Sequence, residues 1–242
     1  MSETITDPTP SRDHLPTASK LTPWPPSWEP AAVVVDLDGT LVDTEQQWVQ
    51  AQDTYLQSHG ATIDEHTRRE ITGRSAQTVV AAIARIVGKD PEVVVGELLA
   101  QHRADLDRPL TPLPGALEIL RAIAERKPVA IASNSPRDLL DKKVHSLGID
   151  DVADHTVAIE DVAQPKPAPD MYRRGAELLG ADPADCLAIE DSETGAESAL
   201  AAGLQLISVP VIPGQDPRSH HRLTDLTDPE LHRWVESWTR TR

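Results

Sequence analysis

Asp36 and Asp38 stand two apart in the run Asp36-Leu37-Asp38-Gly39-Thr40, directly after the apolar stretch 31–35. Near a strand end, residues two apart can face one side. Three more polar groups follow apolar runs of the same kind. Ser133-Asn134-Ser135 follows 129–132, Glu160-Asp161 and then Lys166 follow 156–159, and Glu190-Asp191-Ser192 follows 187–189. Asp36, Asp38 and Asp191 offer hard oxygen ligands suited to Mg²⁺. A lysine beside them adds a cation for an incoming phosphate, and Ser133 with nearby backbone N–H groups can donate to phosphoryl oxygens. A carboxylate can also serve as a nucleophile and form an aspartyl-phosphate. The set suits phosphoryl transfer, in which catalysis is mainly positioning and neutralisation of charge. A duller reading stands beside it: Asp-Gly is a common turn pair, and acids at strand ends often cap helices. One Asp-x-Asp alone is more often structural than catalytic. Polar groups at four successive strand ends are harder to dismiss.

Those strand ends must be brought together by a sheet. The run 31–35 has the β-branched pattern of a strand buried on both faces. Helices are expected near 115–126, from Ser135 (as cap, with Pro136 at the first position) to Gly148, and at 168–179. A helix stopped near Gly203, a strand at 206–209 and a short helix at 229–238 complete the pattern. Strands alternating with helices imply right-handed βαβ units and a parallel sheet. The fold class is therefore α/β, a Rossmann-like doubly wound parallel sheet, and such sheets bind ligands at the carboxyl ends of their strands. Residues 44–110 interrupt this alternation with helical patterns only. Thr44 has the spacing to Gln47 of a capping box, Gly60 is a stop, and Asp90-Pro91 is an N-cap and first-position pair. The expected organisation is an α/β core of 31–43 plus 111–242 with an all-helical block, 44–110, inserted after the first strand. Residues 1–30, rich in proline, read as a disordered tail that Trp24 and Trp28 could pin to the body.

Composition narrows the function. The chain has 242 residues and a formal net charge of −16, which repels nucleic-acid phosphates and anionic lipid, so neither is an expected partner. There is no run long enough to span a bilayer and no hydrophobic leader pattern, so a cytoplasmic location is expected. The single cysteine, Cys186, excludes an intrachain disulfide framework and a cysteine-based zinc site. Phenylalanine is absent, which leaves little aromatic surface on which to stack bases or sugars. His220 and His221 form an isolated pair without further metal ligands.

The order Asp36-Leu-Asp38-Gly-Thr-Leu-Val-Asp43, then Ser133-Asn134, then Lys166-Pro-Ala-Pro-Asp170, then Glu190-Asp191-Ser192 with Gly195 resembles the haloacid dehalogenase-like superfamily. In layout it is similar to the β-phosphoglucomutase-like branch, whose small helical cap is inserted after the first motif. The resemblance implies a phosphomonoesterase with Asp36 as nucleophile and metal ligand. Asp38 would be general acid and then base, with its backbone carbonyl on the metal. Thr40 would hold the loop, Ser133, Asn134, Thr40 and Lys166 would contact the phosphoryl group, Asp191 would be a metal ligand, and Glu190 a ligand or its support. The cofactor implied is Mg²⁺, and the partner is a small phosphorylated metabolite, taken by a monomer or weak homodimer.

Similar dehalogenases lack the second aspartate, so Asp38 argues against that chemistry. The phosphonatase-like members use a Schiff-base lysine from the cap, and the block 44–110 offers only Lys89, in a turn. The mutases resembled most carry a histidine where Trp48 stands here. They also carry an arginine after a Gly-x-Ser turn, where this chain has Ala76 after Gly73-Arg74-Ser75. Hydrolysis of a sugar or polyol phosphate is the expectation. The alternatives are a sugar-phosphate mutase and a non-catalytic phosphate-binding or regulatory protein. Gln47, Trp48, Arg74 and Ser75 are the expected specificity residues of the cap.

Overall fold

The computed structural model describes residues 17–71, 76–105, 110–212 and 214–241. Along the chain, β1 (Ala32–Val35) is followed by α1 (Glu45–Ser58), α2 (Glu65–Ile71), α3 (Ala76–Val87) and α4 (Pro91–Asp105). Then come α5 (Ala116–Ala124), β2 (Val129–Ala132), α6 (Arg137–Leu147), β3 (His155–Val157) and α7 (Asp170–Leu178). The chain closes with β4 (Cys186–Glu190), α8 (Glu193–Ala202), β5 (Gln205–Ser208), β6 (His221–Arg222) and α9 (Pro229–Glu236). The strands form one parallel sheet in the order β3-β2-β1-β4-β5-β6. The order reverses at β1, between β2 and β4, which is where an open α/β sheet leaves its ligand crevice.

The apolar runs read from sequence are buried on both faces because helices cover both. Val33 and Val35 of β1 pack with Ile119 and Ile123 of α5, Leu139 of α6 and Trp234 of α9. Ala32 and Val34 turn the other way, against Met171 and Tyr172 of α7 and Ala199 of α8. Full burial of each such side chain contributes about 1.5–3 kcal/mol. The helices between Glu45 and Asp105 keep a separate cluster of their own, including Leu56, Val80, Ile83, Val94 and Leu98.

The segment before β1 differs from the expected tail. From Thr17 onward it lies along the body: Leu21 is fully buried, and Lys20 N–H donates to Gln205 Oε1 at 2.7 Å. Trp24 stacks on His221 with ring centroids 3.8 Å apart, and Trp234 Nε1–H donates to the Trp28 carbonyl at 3.0 Å. The two tryptophans bring the apolar area that the surrounding proline-rich sequence lacks. Residues 1–16 lie outside the described residues. The two-residue β6 extends the sheet beyond the strands legible in sequence. No helix among the described residues is long and apolar enough to cross a membrane.

Candidate active site

A cleft of about 280 Å³ opens at the carboxyl ends of β1, β2 and β4. Asp36, Asp38, Ser133, Asn134, Lys166, Glu190 and Asp191 all line it, and Trp48 and Leu99 reach it from the helical block.

Asp36 follows β1 directly and is 5% exposed. Its Oδ1 accepts from Lys166 Nζ at 2.6 Å, while its Oδ2 is buried without a partner. Burial pushes this carboxyl up to about 7 against the pull of Lys166, and the Glu190 and Asp38 charges add to the rise. Asp191 is also raised well above its ordinary value, first by burial and then by Glu190 and Asp36. One carboxylate oxygen from each of Asp36, Glu190 and Asp191 lies within 4.8 Å of the others. Lys166 spans Asp36 and, at 2.8 Å, Glu190, and those two charges hold its ammonium well above its ordinary value despite burial. A single lysine cannot neutralise three close carboxylates. The surplus negative charge, the hard oxygen donors and the unpartnered Asp36 Oδ2 fit a divalent cation of the Mg²⁺ kind.

Gly39 makes the close approach possible. It sits at φ +89°, and a Cβ there would fall 2.3 Å from Asp191 Oδ2. Thr40, buried on the same turn, donates to Asp191 Oδ1 at 3.3 Å. Its hydroxyl is thus directed at a carboxylate, and Thr40 does not line the cleft. Asn134 holds the Lys166 loop: its Nδ2 donates to the Lys166 carbonyl at 3.1 Å, and its Oδ1 accepts from Lys166 N–H at 3.0 Å. Glu190 has both oxygens engaged, Oε1 by Lys166 and Oε2 by Ser192 N–H and Oγ–H at 2.7 and 2.9 Å.

Asp38 faces a different environment. Its Oδ1 accepts from Thr44 Oγ at 2.7 Å and Lys143 Nζ at 2.5 Å, and its Oδ2 from Ser133 Oγ at 2.8 Å and Ser135 Oγ at 2.9 Å. Burial pushes this carboxyl up, but Lys143 and the hydroxyl donors outweigh it and hold the group well below the usual carboxylate range. The helix caps expected of Thr44 and Ser135 do not form. Thr44 stands at the N-cap of α1 but makes no side-chain cap, and α6 begins at Arg137, after Pro136. Both hydroxyls are drawn to Asp38 because a charge-assisted hydrogen bond is roughly twice as strong as a neutral one. Lys143 joins the site without having been singled out by any motif. It is 2% exposed, on the buried α6 face of Leu139, Leu140, Val144 and Leu147. A lysine inside an apolar stripe at helical spacing was the available signal.

Other expected residues fall elsewhere. Glu160 accepts from Arg137 N–H at 2.9 Å, and Asp161 accepts from Ala158 N–H and pairs with Arg137. Both tie the α6 start to the β3 end, away from the cleft. Trp48 is half-buried at its mouth. Nothing is described of the Gln47 side chain, and Arg74 and Ser75 lie outside the described residues. His220 and His221 serve packing: Leu206 N–H donates to His220 Nδ1 at 3.0 Å, and His221 stacks on Trp24.

The model of the haloacid dehalogenase-like hydrolase family matches residues 30–203, which takes in every residue of the cleft. The chain is a haloacid dehalogenase-like hydrolase. This hydrolase is 33% identical over 215 residues to a bifunctional riboflavin kinase/FMN phosphatase of Arabidopsis thaliana, covering 84% of the chain but only 55% of that longer protein. It is 28% identical over 181 residues to the fructose-1-phosphate phosphatase YqaB of Escherichia coli, covering 74% of the chain and 96% of the relative. Among solved structures, a hydrolase of the same family from Deinococcus radiodurans, crystallised with phosphate and sodium, superposes with a TM-score of 0.59 at 31% identity. That match covers 88% of this hydrolase and 91% of the other chain.

Proposed function

We propose that this hydrolase is a Mg²⁺-dependent phosphatase of small phosphomonoesters, of the sugar or polyol phosphate class, acting through a covalent phosphoryl group on Asp36. The observation that carries the reading is the contrast between the two aspartates of one turn. Asp36 keeps a buried oxygen with no partner. Asp38 has both oxygens held by donors a short distance along the same cleft. One is fit to attack and the other to handle protons.

In this scheme the Asp38 carboxylate, ionised among its donors, first takes the proton of a bound phosphomonoester monoanion. The Asp36 carboxylate attacks phosphorus, the ester P–O bond breaks, and its electron pair leaves with the substrate oxygen, which takes that proton from Asp38. The Asp38 carboxylate then accepts a proton from water as the water oxygen attacks the acyl phosphate. Asp36 is released, Asp38 regains its proton, and the net change is ester plus water to alcohol plus phosphate. Lys166 balances charge on Asp36 and on the transferring group. Asp36 and Asp191, with Glu190 in support, would hold the cation, which supplies neutralisation of the phosphoryl oxygens when bound. The donors expected on the phosphate, Ser133 and Asn134, border the same space. Thr40 supports Asp191 in this scheme.

We assign residues 44–110 the role of a cap. Trp48 and Leu99 close the cleft over residues of the sheet, and Arg103 bridges to Asp138 of α6 at 2.6 Å. Gln47, Arg74 and Ser75 remain proposed specificity residues of that cap. A monophosphate is favoured over the bisphosphate a mutase must hold. Among the described residues lining the cleft the cations are Lys143 and Lys166, and carboxylates engage both. The relatives that carry phosphatase names, fructose-1-phosphate phosphatase among them, support the substrate class. The test is inorganic phosphate release from a panel of sugar, polyol and nucleotide monophosphates, with Mg²⁺, with EDTA and with Asp36→Asn. Release that needs neither the metal nor Asp36 would refute the proposal.

A further inference from the structure

We infer that Lys143 is a positioning residue of the reaction, holding Asp38 where it exchanges a proton with the leaving group; the inference rests on the phosphatase reading above. Lys143 lies two turns into α6, and its neighbours on that face are Leu139, Leu140, Val144 and Leu147, all buried. An ammonium in such a stripe is costly unless paired. Its described partners are Asp38 Oδ1 at 2.5 Å and Ser135 Oγ at 2.9 Å, and Ser135 in turn donates to Asp38 Oδ2 at 2.9 Å. Lys143 therefore fixes one carboxylate oxygen directly and the other through Ser135.

The remaining holders of Asp38 are Thr44, at the start of α1, and Ser133, at the end of β2. Asp38 is thus gripped from the helical block on one side and from the sheet and α6 on the other. Lys143 contributes the charged contact, from the interior of a helix packed on the sheet. Its side chain lines the cleft beside Trp48, Leu99 and Leu139, and the alcohol part of an ester attacked by Asp36 would face this part of the cleft. Without Lys143 the carboxylate keeps hydroxyl partners but loses the anchor that sets its distance from that alcohol. Displacing a catalytic group by about 1 Å can cost roughly 100-fold in rate.

The reading that competes is purely structural: Lys143 pairs with Asp38 for stability, and its loss damages all turnover alike. Leaving-group dependence separates the two. An alkyl phosphate needs a proton on its departing oxygen, whereas p-nitrophenolate leaves without one. In kcat/KM, which reports only steps up to the first irreversible one, later attack by water does not enter. Lys143→Met should lower kcat/KM for sorbitol 6-phosphate roughly 100-fold and for p-nitrophenyl phosphate less than about threefold. Ser135→Ala should show the same pattern with smaller losses, and it decides between the two readings if Lys143→Met does not fold. Equal losses on the two esters, no loss, or a gain on the alkyl ester would overturn the inference while leaving the phosphatase reading intact. Parent enzyme inactive on both esters with Mg²⁺ would overturn the phosphatase reading and the inference with it.

Discussion

Placing a methyl group on Gly195 puts it where the Glu190 carboxylate already is. A Cβ at 195 would fall 1.5 Å from Glu190 Oε1 and 1.9 Å from its Cδ. The carboxylate ends a flexible side chain, but it cannot swing away without leaving Lys166 on one oxygen and the Ser192 N–H and hydroxyl on the other. Hydrogen bonds to charged groups contribute about 1.5–3 kcal/mol each, so loss of all three costs about 4.5–9 kcal/mol. At about 2–4 °C per kcal/mol for a chain of this size, Gly195→Ala should lower Tm by at least about 10 °C. It should also lower phosphate release by about 100-fold, because Lys166 loses one of the two partners that aim it at Asp36. Gly96 is the control. It lies inside α4 with nothing within 4 Å of an added Cβ. Gly96→Ala should stabilise the chain by about 0.5–1 kcal/mol. Thermal unfolding followed by circular dichroism, run on both variants and the parent, reads the difference. Gly195→Ala melting within about 2 °C of the parent with full turnover would refute the placement of Glu190 against α8.

Three further outcomes are expected from the same geometry. Lys166→Met leaves Asp36 and Glu190 buried without their cation and should destabilise by about 3–5 kcal/mol at pH 8. The loss should shrink as pH falls through 7, where Asp36 binds a proton; equal losses in urea unfolding at pH 8 and 5.5 would contradict this. Mg²⁺ at about a hundredfold over its dissociation constant should stabilise the parent by about 2.7 kcal/mol. That gain should vanish with EDTA or in Asp191→Asn, and a gain surviving in Asp191→Asn would remove Asp191 from the site. His220 lies below its ordinary value because burial disfavours the imidazolium, and Leu206 N–H already occupies its Nδ1. The unfolded chain therefore binds that proton at higher pH than the folded one. Stability from this site is complete above about pH 6.5 and declines as pH falls below it. The decline in Tm between about pH 7 and 5.5 should be shallower in His220→Gln, and identical slopes would refute the assignment.

The residues that could be read from the sequence are those whose place follows from sheet topology. Asp36, Lys166, Glu190 and Asp191 each follow an apolar strand or its loop, and a parallel sheet gathers its carboxyl ends on one edge whatever the details of packing. Thr44 and Ser135 read as caps for the opposite reason. Local rules rank a hydroxyl before a helix as a cap, and only the tertiary structure reveals a carboxylate near enough to claim it. Lys143 shows in the sequence only as a lysine within the apolar stripe of α6; its role is not legible there, because a lysine on a helix is ordinarily solvated and its partner lies 105 positions away. Glu160 and Asp161 group with the site by their place after a strand, yet β3 is at the sheet edge and its acids bind the α6 start. Trp24 and Trp28 are legible as anchors, but how far toward the N-terminus the docked segment extends depends on contacts of Leu21 and Lys20 with the body.

Whether Asp36 carries the phosphoryl group is decided by the burst of p-nitrophenol from p-nitrophenyl phosphate in Asp38→Ala. An aryl ester needs no proton from residue 38, so the first transfer should proceed, while water without its base should release Asp36 slowly. The expected outcome is a rapid burst of a single equivalent of p-nitrophenol per chain, matched by a phosphoryl group found on Asp36 by peptide mass spectrometry. The burst should be abolished when Asp36→Asn is added. A burst that persists with Asp36→Asn, or sustained turnover of Asp38→Ala with no phosphoryl group on residue 36, would contradict the mechanism.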